Sequence, residues 1–186
     1  MSKQADENRV TEVDLAAVSE DLGRSARGVA GVGARCVCGR PLVVVTSPRL
    51  PNGTPFPTTF YLSSPSLAVA CSRLESGGYM AELAAQLAGD TDLAAAYALA
   101  HEDYLERRAR VGEQTGVGEV PEIAGISAGG MPNRVKCLHA LVAHSLAAGP
   151  GVNPIGDQAL AEIARRGWWE PNRCSCEGAR ERENDE

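Results

Sequence analysis

An α+β fold is predicted for this chain, with a small antiparallel three-stranded sheet packed against a layer of about five to six helices. Strand-like stretches fall only between Gly28 and Leu62, where a link holding Asn52-Gly53 among four prolines forces a turn. From Ser64 onward, apolar residues recur at helical spacing and glycine or proline punctuates each run. The length of 186 residues, with 44% hydrophobic, 23% charged and only 4% aromatic residues, suits one domain whose core is built from alanine-lined helices.

Residues 1–11 are polar and read as a disordered start to a single domain over residues 12–170. Val10, Val13, Leu15, Val18 and Leu22 have the spacing of a short amphipathic helix that stops at Gly23. Val29, Val32, Ala34 and Cys36, then residues 42–46, then residues 58–62 read as the three strands. Ser64-Pro65 is an N-cap followed by proline at the first helical position, and opens a helix to about Leu74. Gly77-Gly78 ends it, a second helix spans residues 79–88, and Asp90 caps a third over residues 91–111. That third helix turns Leu93, Ala96, Tyr97, Ala100 and Tyr104 inward and is charged outside, with Asp103 and Arg107 one turn apart. Gly129-Gly130 and Pro132 open a helix that runs to Ala148, and a last one follows over residues 155–167. Residues 171–186 read as a flexible charged tail.

A net charge of -6 and a pI near 5.2 argue against general nucleic-acid binding, which needs a basic surface. No apolar run approaches the ~20 residues of a membrane span, and the first residues lack a signal peptide. A cytoplasmic protein without membrane insertion is expected. In that reducing compartment the six cysteines read as thiols, metal ligands or small core residues rather than disulfides.

Residues 125–156 concentrate the chemistry, with one cysteine and two of the three histidines. On a helix from Pro132, Val135, Leu138, Leu141, Val142 and Leu146 form the core face, with Cys137 and His144 on one flank and Lys136 and His139 on the other. Cys137 and His144 are ~10.5 Å apart along the axis, too far for one ion. Cys137 and His139 share an ion only at a frayed helix end. A buried imidazole bonded to backbone is the plain reading of either histidine. Before the helix, Gly129 and Gly130, a free helix N-terminus, Arg134 and Lys136 make a loop suited to a phosphate or carboxylate. Elsewhere, Cys36-Val37-Cys38 lies where a strand meets a turn, and Cys174-Ser175-Cys176 repeats that spacing. Two such pairs can give four sulfurs to one zinc; the second pair reads equally as exposed thiols on a tail. His101 and Glu102 are further candidates on a helix that otherwise reads as core and surface.

With Cys36, Gly39 and Pro41, PFPTTFYL at residues 55–62, SRLE at residues 72–75, HEDYLERR at residues 101–108, and KCLHALVAHSLAAG followed by NPIG, the chain resembles the domain of unknown function 501 family in an actinobacterial, hence bacterial, form. The resemblance spans roughly residues 23–169 and implies no established reaction. It implies a site of Cys36, Cys137 and His139 with a further cysteine where this chain has Ser64, a place that Cys38 or Cys71 would have to fill. It also implies a genetic neighbourhood of septum formation and polyphosphate breakdown.

The sequence thus points to a Cys/His site for a metal or small anionic ligand around residues 125–156. Cys36, Cys38, Cys137 and His139 are its metal candidates, Gly129, Gly130, Arg134 and Lys136 its anion candidates, and His144, His101 and Glu102 the remainder. Zinc and an iron–sulfur cluster both suit the thiols, and catalysis and oligomeric state are left open. The alternative is a non-catalytic module that meets a protein partner, linked to cell division.

Overall fold

Strands and helices follow the predicted order. The structure, a computed structural model, describes residues 9–176; the disorder expected of residues 1–8 and 177–186 lies outside the described residues. Helix α1 (Glu12–Asp21) opens with a reciprocal cap, in which the Thr11 hydroxyl accepts the Asp14 N–H at 3.1 Å and the Asp14 carboxylate accepts the Thr11 N–H at 2.9 Å. Of its expected apolar face only Val18 is fully buried, while Val13 is 78% exposed. Charge docks this helix instead. Arg35 donates to both oxygens of Asp14 at 2.6 and 3.0 Å, and Arg40 to both of Asp21 at 2.7 and 2.6 Å.

The sheet has the order β1 (Val29–Arg35), β2 (Pro41–Thr46), β3 (Phe60–Leu62), antiparallel throughout. Central β2 is buried from Pro41 to Val44 and pairs regularly with β3, Val43 opposite Leu62 and Val45 opposite Phe60. The β1 register against β2 slips between Val29 and Gly31, between Val32 and Ala34, and between Ala34 and Arg35. Each slip adds twist to the strand. The predicted turn between β2 and β3 is closed by the Gly53 N–H on Leu50 O at 2.8 Å and the Phe56 N–H on Pro48 O at 2.8 Å.

Helices α2 (Pro65–Ser76), α3 (Tyr79–Gly89) and α4 (Thr91–Gln114) follow, and a 3-10 turn (Pro121–Ile123) precedes α5 (Leu138–Ala148) and α6 (Pro154–Arg165). Asp90 caps α4 through the N–H groups of Asp92 and Leu93, and Asn153 caps α6 through that of Gly156.

The start of α5 corrects the expected helix from Pro132. The Met131-Pro132 bond is cis, and the polar backbone groups before Leu138 are engaged in turns. Gly130 O accepts from the Arg134 N–H at 2.9 Å, and Gly129 O from those of Lys136 at 2.7 Å and Cys137 at 3.3 Å. Tyr97 donates to Arg134 O at 3.1 Å. Cys137 is extended, with φ -154 and ψ 110, and becomes the N-cap.

Helix α5 is the centre of the core. Leu138, Leu141, Val142, Ala143, His144 and Ser145 are all buried, and the helix touches all three strands as well as α2 and α6. Each buried leucine is worth about 1.5–3 kcal/mol of transfer free energy. Close crossing of α5 and α6 depends on Gly156, where a Cβ would run into the Leu141 carbonyl and lie 2.9 Å from Ser145 Cβ.

Candidate functional site

Because α5 begins at Leu138, Cys137 and His139 are not spread around a helix but flank its first residue. The Cys137 sulfur lies 3.9 Å from His139 Nδ1. Glu75, in the last turn of α2, completes the group: its Oε1 accepts the Leu138 N–H at 2.7 Å and lies 3.2 Å from His139 Nδ1. The other ring nitrogen, Nε2, is 3.1 Å from the Ala68 carbonyl and 3.3 Å from the Ser72 hydroxyl. A carbonyl only accepts, so Nε2 carries a hydrogen; Nδ1 faces the sulfur and the carboxylate, donating to them when the ring is protonated and presenting a free lone pair when it is neutral. Ala68, Ser72 and Glu75 recur at helical spacing on one face of α2, the signal from which Glu75 was readable.

Sulfur, nitrogen and oxygen here lie within 4.8 Å of one another. Hydrogen bonding to His139 holds the Cys137 thiol below its ordinary value against the opposing effect of burial, with help from the Ala140 N–H at the helix start. Contact with Cys137, opposed by burial and reinforced by Glu75, raises His139 to about 9. Cys71 lies beside this group but is wholly buried, and burial first, then Glu75 and Cys137, push its thiol up.

The four cysteine and histidine candidates divide between two places. Cys36 and Cys38 meet Cys174 and Cys176, all four sulfurs within 4.8 Å of one another, rather than joining Cys137 and His139 in the same group. Residues 174–176, expected in the tail, are instead placed against the turn between β1 and β2, and Ser175 reaches the Ser66 hydroxyl at 2.8 Å. Burial, then Cys36 and Cys38, push the Cys176 thiol up. Ser64 is buried as the N-cap of α2 and joins Ser66 at 3.1 Å.

His144 is a core residue, bonded to side chains rather than to backbone. Asn153 Oδ1 caps α6, so its Nδ2 faces and donates to His144 Nδ1 at 3.1 Å. Nε2 therefore bears the hydrogen and donates to Asp103 at 2.9 Å. Burial holds this imidazole below its ordinary value, against Asp103. His101 pairs with Ser127 at 2.8 Å, bracing the loop on α4, and Glu102 is exposed.

The proposed anion loop spends its features on packing. A Cβ on Gly129, φ 69, would lie 2.5 Å from the Leu141 side chain, and one on Gly130, φ 98, 2.6 Å from Arg134 O. The Leu138 N–H at the helix start already has an anion in Glu75. Arg134 and Lys136 are exposed beside a groove of about 420 Å³. Sequence reasoning missed Arg108, buried on the face of α4 that carries Tyr104 and Val111, where it donates to the carbonyls of Ile123, at 2.8 Å, and Ile126. A cavity of about 550 Å³ lies between β1 and α4, and none of the candidates lines it.

The fold and these two side-chain clusters define an α+β protein with grouped cysteine, histidine and carboxylate side chains. Residues 32–161 match the family described as Protein of unknown function (DUF501), and the chain belongs to that family. Comparison with curated proteins and with solved structures yields no match. The matched span contains Glu75, Cys137 and His139 and ends before Cys174. Among the described residues no helix is long and apolar enough to cross a membrane.

Proposed function

We propose that Glu75, Cys137 and His139 form a three-ligand metal centre, that zinc is the ion these donors suit, and that the protein works through the coordination position left open. The observation that carries this reading is the convergence of three lone-pair donors beside the start of α5. Around a tetrahedral zinc with bonds of ~2.0–2.3 Å, nitrogen and oxygen ligands are about 3.3 Å apart and sulfur and nitrogen about 3.6 Å. The corresponding distances here are 3.2 and 3.9 Å. A ligating histidine ordinarily donates its second N–H to a carbonyl, as His139 does to Ala68. One sulfur is too few for an iron–sulfur cluster, which rests on several thiolates.

Three protein ligands with an open position is the composition of a catalytic zinc site, whereas structural sites close with four. The ion would supply Lewis-acid chemistry toward a carbonyl or phosphoryl oxygen, or toward bound water. The chain's own residues do the positioning. Ala68 orients the imidazole, the Leu138 N–H orients Glu75, and side chains 30% and 24% exposed at His139 and Glu75 leave the position accessible.

Titration of the reduced protein with Co²⁺, read by absorption, and competition with Zn²⁺ test this. Glu75→Gln, Cys137→Ser and His139→Asn are each expected to weaken binding at least about tenfold. Zinc is also expected to protect Cys137 from iodoacetamide. Unchanged Co²⁺ binding in all three variants, or alkylation of Cys137 at one rate with and without zinc, would overturn the proposal, the latter making Cys137 a free thiol beside His139.

A further inference from the structure

We infer that Cys36, Cys38, Cys174 and Cys176 hold a second ion, a zinc in a closed four-thiolate site that fastens residues 174–176 to the turn between β1 and β2. This goes beyond the open centre at Glu75, Cys137 and His139 and shares no ligand with it. Cys38 and Cys176, 138 positions apart in sequence, have sulfurs 3.7 Å apart. The edge of a zinc–sulfur tetrahedron with ~2.3 Å bonds is about 3.8 Å, and a disulfide requires about 2.0 Å. All six cysteines are free, and the four here lie within 4.8 Å of one another.

Hydrogen bonds outside the cluster position both pairs. The Gly39 N–H donates to Cys36 O at 2.8 Å and the Cys36 N–H to Arg40 O at 2.9 Å, which fixes the first pair in its turn. The contact between Ser175 and Ser66 at 2.8 Å anchors the second pair to the first turn of α2. Cys36 is buried, Cys176 half-buried, and Cys38 and Cys174 exposed, so the site is at the surface with one ligand rooted in the core. Four soft sulfur donors select zinc over magnesium or calcium, which prefer oxygen. A closed set leaves no position for substrate, which assigns this ion to structure.

The full chain, purified with reductant and without chelator, is analysed for zinc per chain by mass spectrometry of the metal. If both centres bind, the wild type holds two equivalents, Cys174→Ser/Cys176→Ser one, and Glu75→Gln/His139→Asn one. If the open centre alone fails, the wild type holds one equivalent, retained in Glu75→Gln/His139→Asn and lost in Cys174→Ser/Cys176→Ser. With Co²⁺, the intense sulfur-to-cobalt charge-transfer band is expected to collapse in Cys174→Ser/Cys176→Ser, and stripping zinc is expected to speed hydrogen exchange over residues 172–176. Circular dichroism of the variants checks that they fold. The inference is overturned if Cys174→Ser/Cys176→Ser keeps the wild-type zinc content. It is equally overturned if the reduced wild type is zinc-free, or if intact mass shows a disulfide among these cysteines in reductant.

Discussion

Two substitutions at Asn153 probe the polar centre of the core. Asn153 is fully buried, caps α6 through Gly156, and donates to His144 Nδ1. Asn153→Ala removes the cap and leaves a buried imidazole nitrogen without a donor, together costing about 2–4 kcal/mol. At this chain length that is a fall in Tm of about 5–15 °C. Asn153→Asp keeps a good cap but sets an oxygen against the His144 lone pair, a conflict relieved when Nδ1 takes up a proton. The groups facing His144 are then Asp103 and Arg107 from α4, Asp157 from α6 and the new carboxylate. In the wild type, burial depresses the folded pKa of His144, so its unfolded state binds the proton more readily. Stability is therefore fully present above the unfolded value of about 6.5 and is lost as pH falls from there toward the folded value. In Asn153→Asp the folded pKa is raised, so the added stability is present below about 6.5 and is lost as pH rises through the folded value. Urea unfolding of the three proteins between about pH 5.5 and about pH 8 should show stability falling with pH more steeply in Asn153→Asp than in the wild type, because His139, raised to about 9, contributes the same downward slope to both. A slope no steeper in Asn153→Asp than in the wild type, or a cost below about 1 kcal/mol for Asn153→Ala, would refute this account of the core.

Two further outcomes follow from packing and charge. Arg35 holds the Asp14 carboxyl well below the usual carboxylate range, so the stability it gives is present above the unfolded value of about 3.9 and is lost as pH falls through the folded one. Asp14→Asn should remove about 1–3 kcal/mol at neutral pH and speed hydrogen exchange over α1; unchanged exchange there would mean that the Arg35 pair does not dock the helix. Gly156→Ala forces a methyl against the Leu141 carbonyl and should cost about 1–3 kcal/mol or more, read as a lower urea midpoint at an unchanged slope.

Most of the fold was legible because local chemistry announced it. Asn52-Gly53 and the surrounding prolines marked the turn, Ser64-Pro65 and Asp90 marked helix starts, and all three were used as expected. Pro132 misled because proline at a first helical turn and proline within a loop look alike when the partners of the neighbouring carbonyls are unknown. Tyr97 and the folded-back N–H groups of Arg134, Lys136 and Cys137 are what decide it. The candidate site was half legible for a related reason. Cys137 and His139 were nominated by type, but the helix boundary decided whether they meet, and Glu75 came from 62 positions before Cys137. The pairing of Cys36 and Cys38 with Cys174 and Cys176 was arithmetically open, but only tertiary folding brings such distant pairs together. Helix α1 misled in the opposite way, since its apolar spacing was real and yet its docking rests on Asp14 and Asp21.

The slipping register of β1 bears on how these molecules meet one another. A sheet invites strand addition where an edge offers a long, evenly spaced row of unpaired amides. Here one edge is β3, three residues long, and the other is β1, broken by three shifts within seven residues. Neither supplies a template for a fourth strand, so at high concentration chains are steered away from backbone-to-backbone growth and toward contacts between side chains, which dilution or salt can reverse.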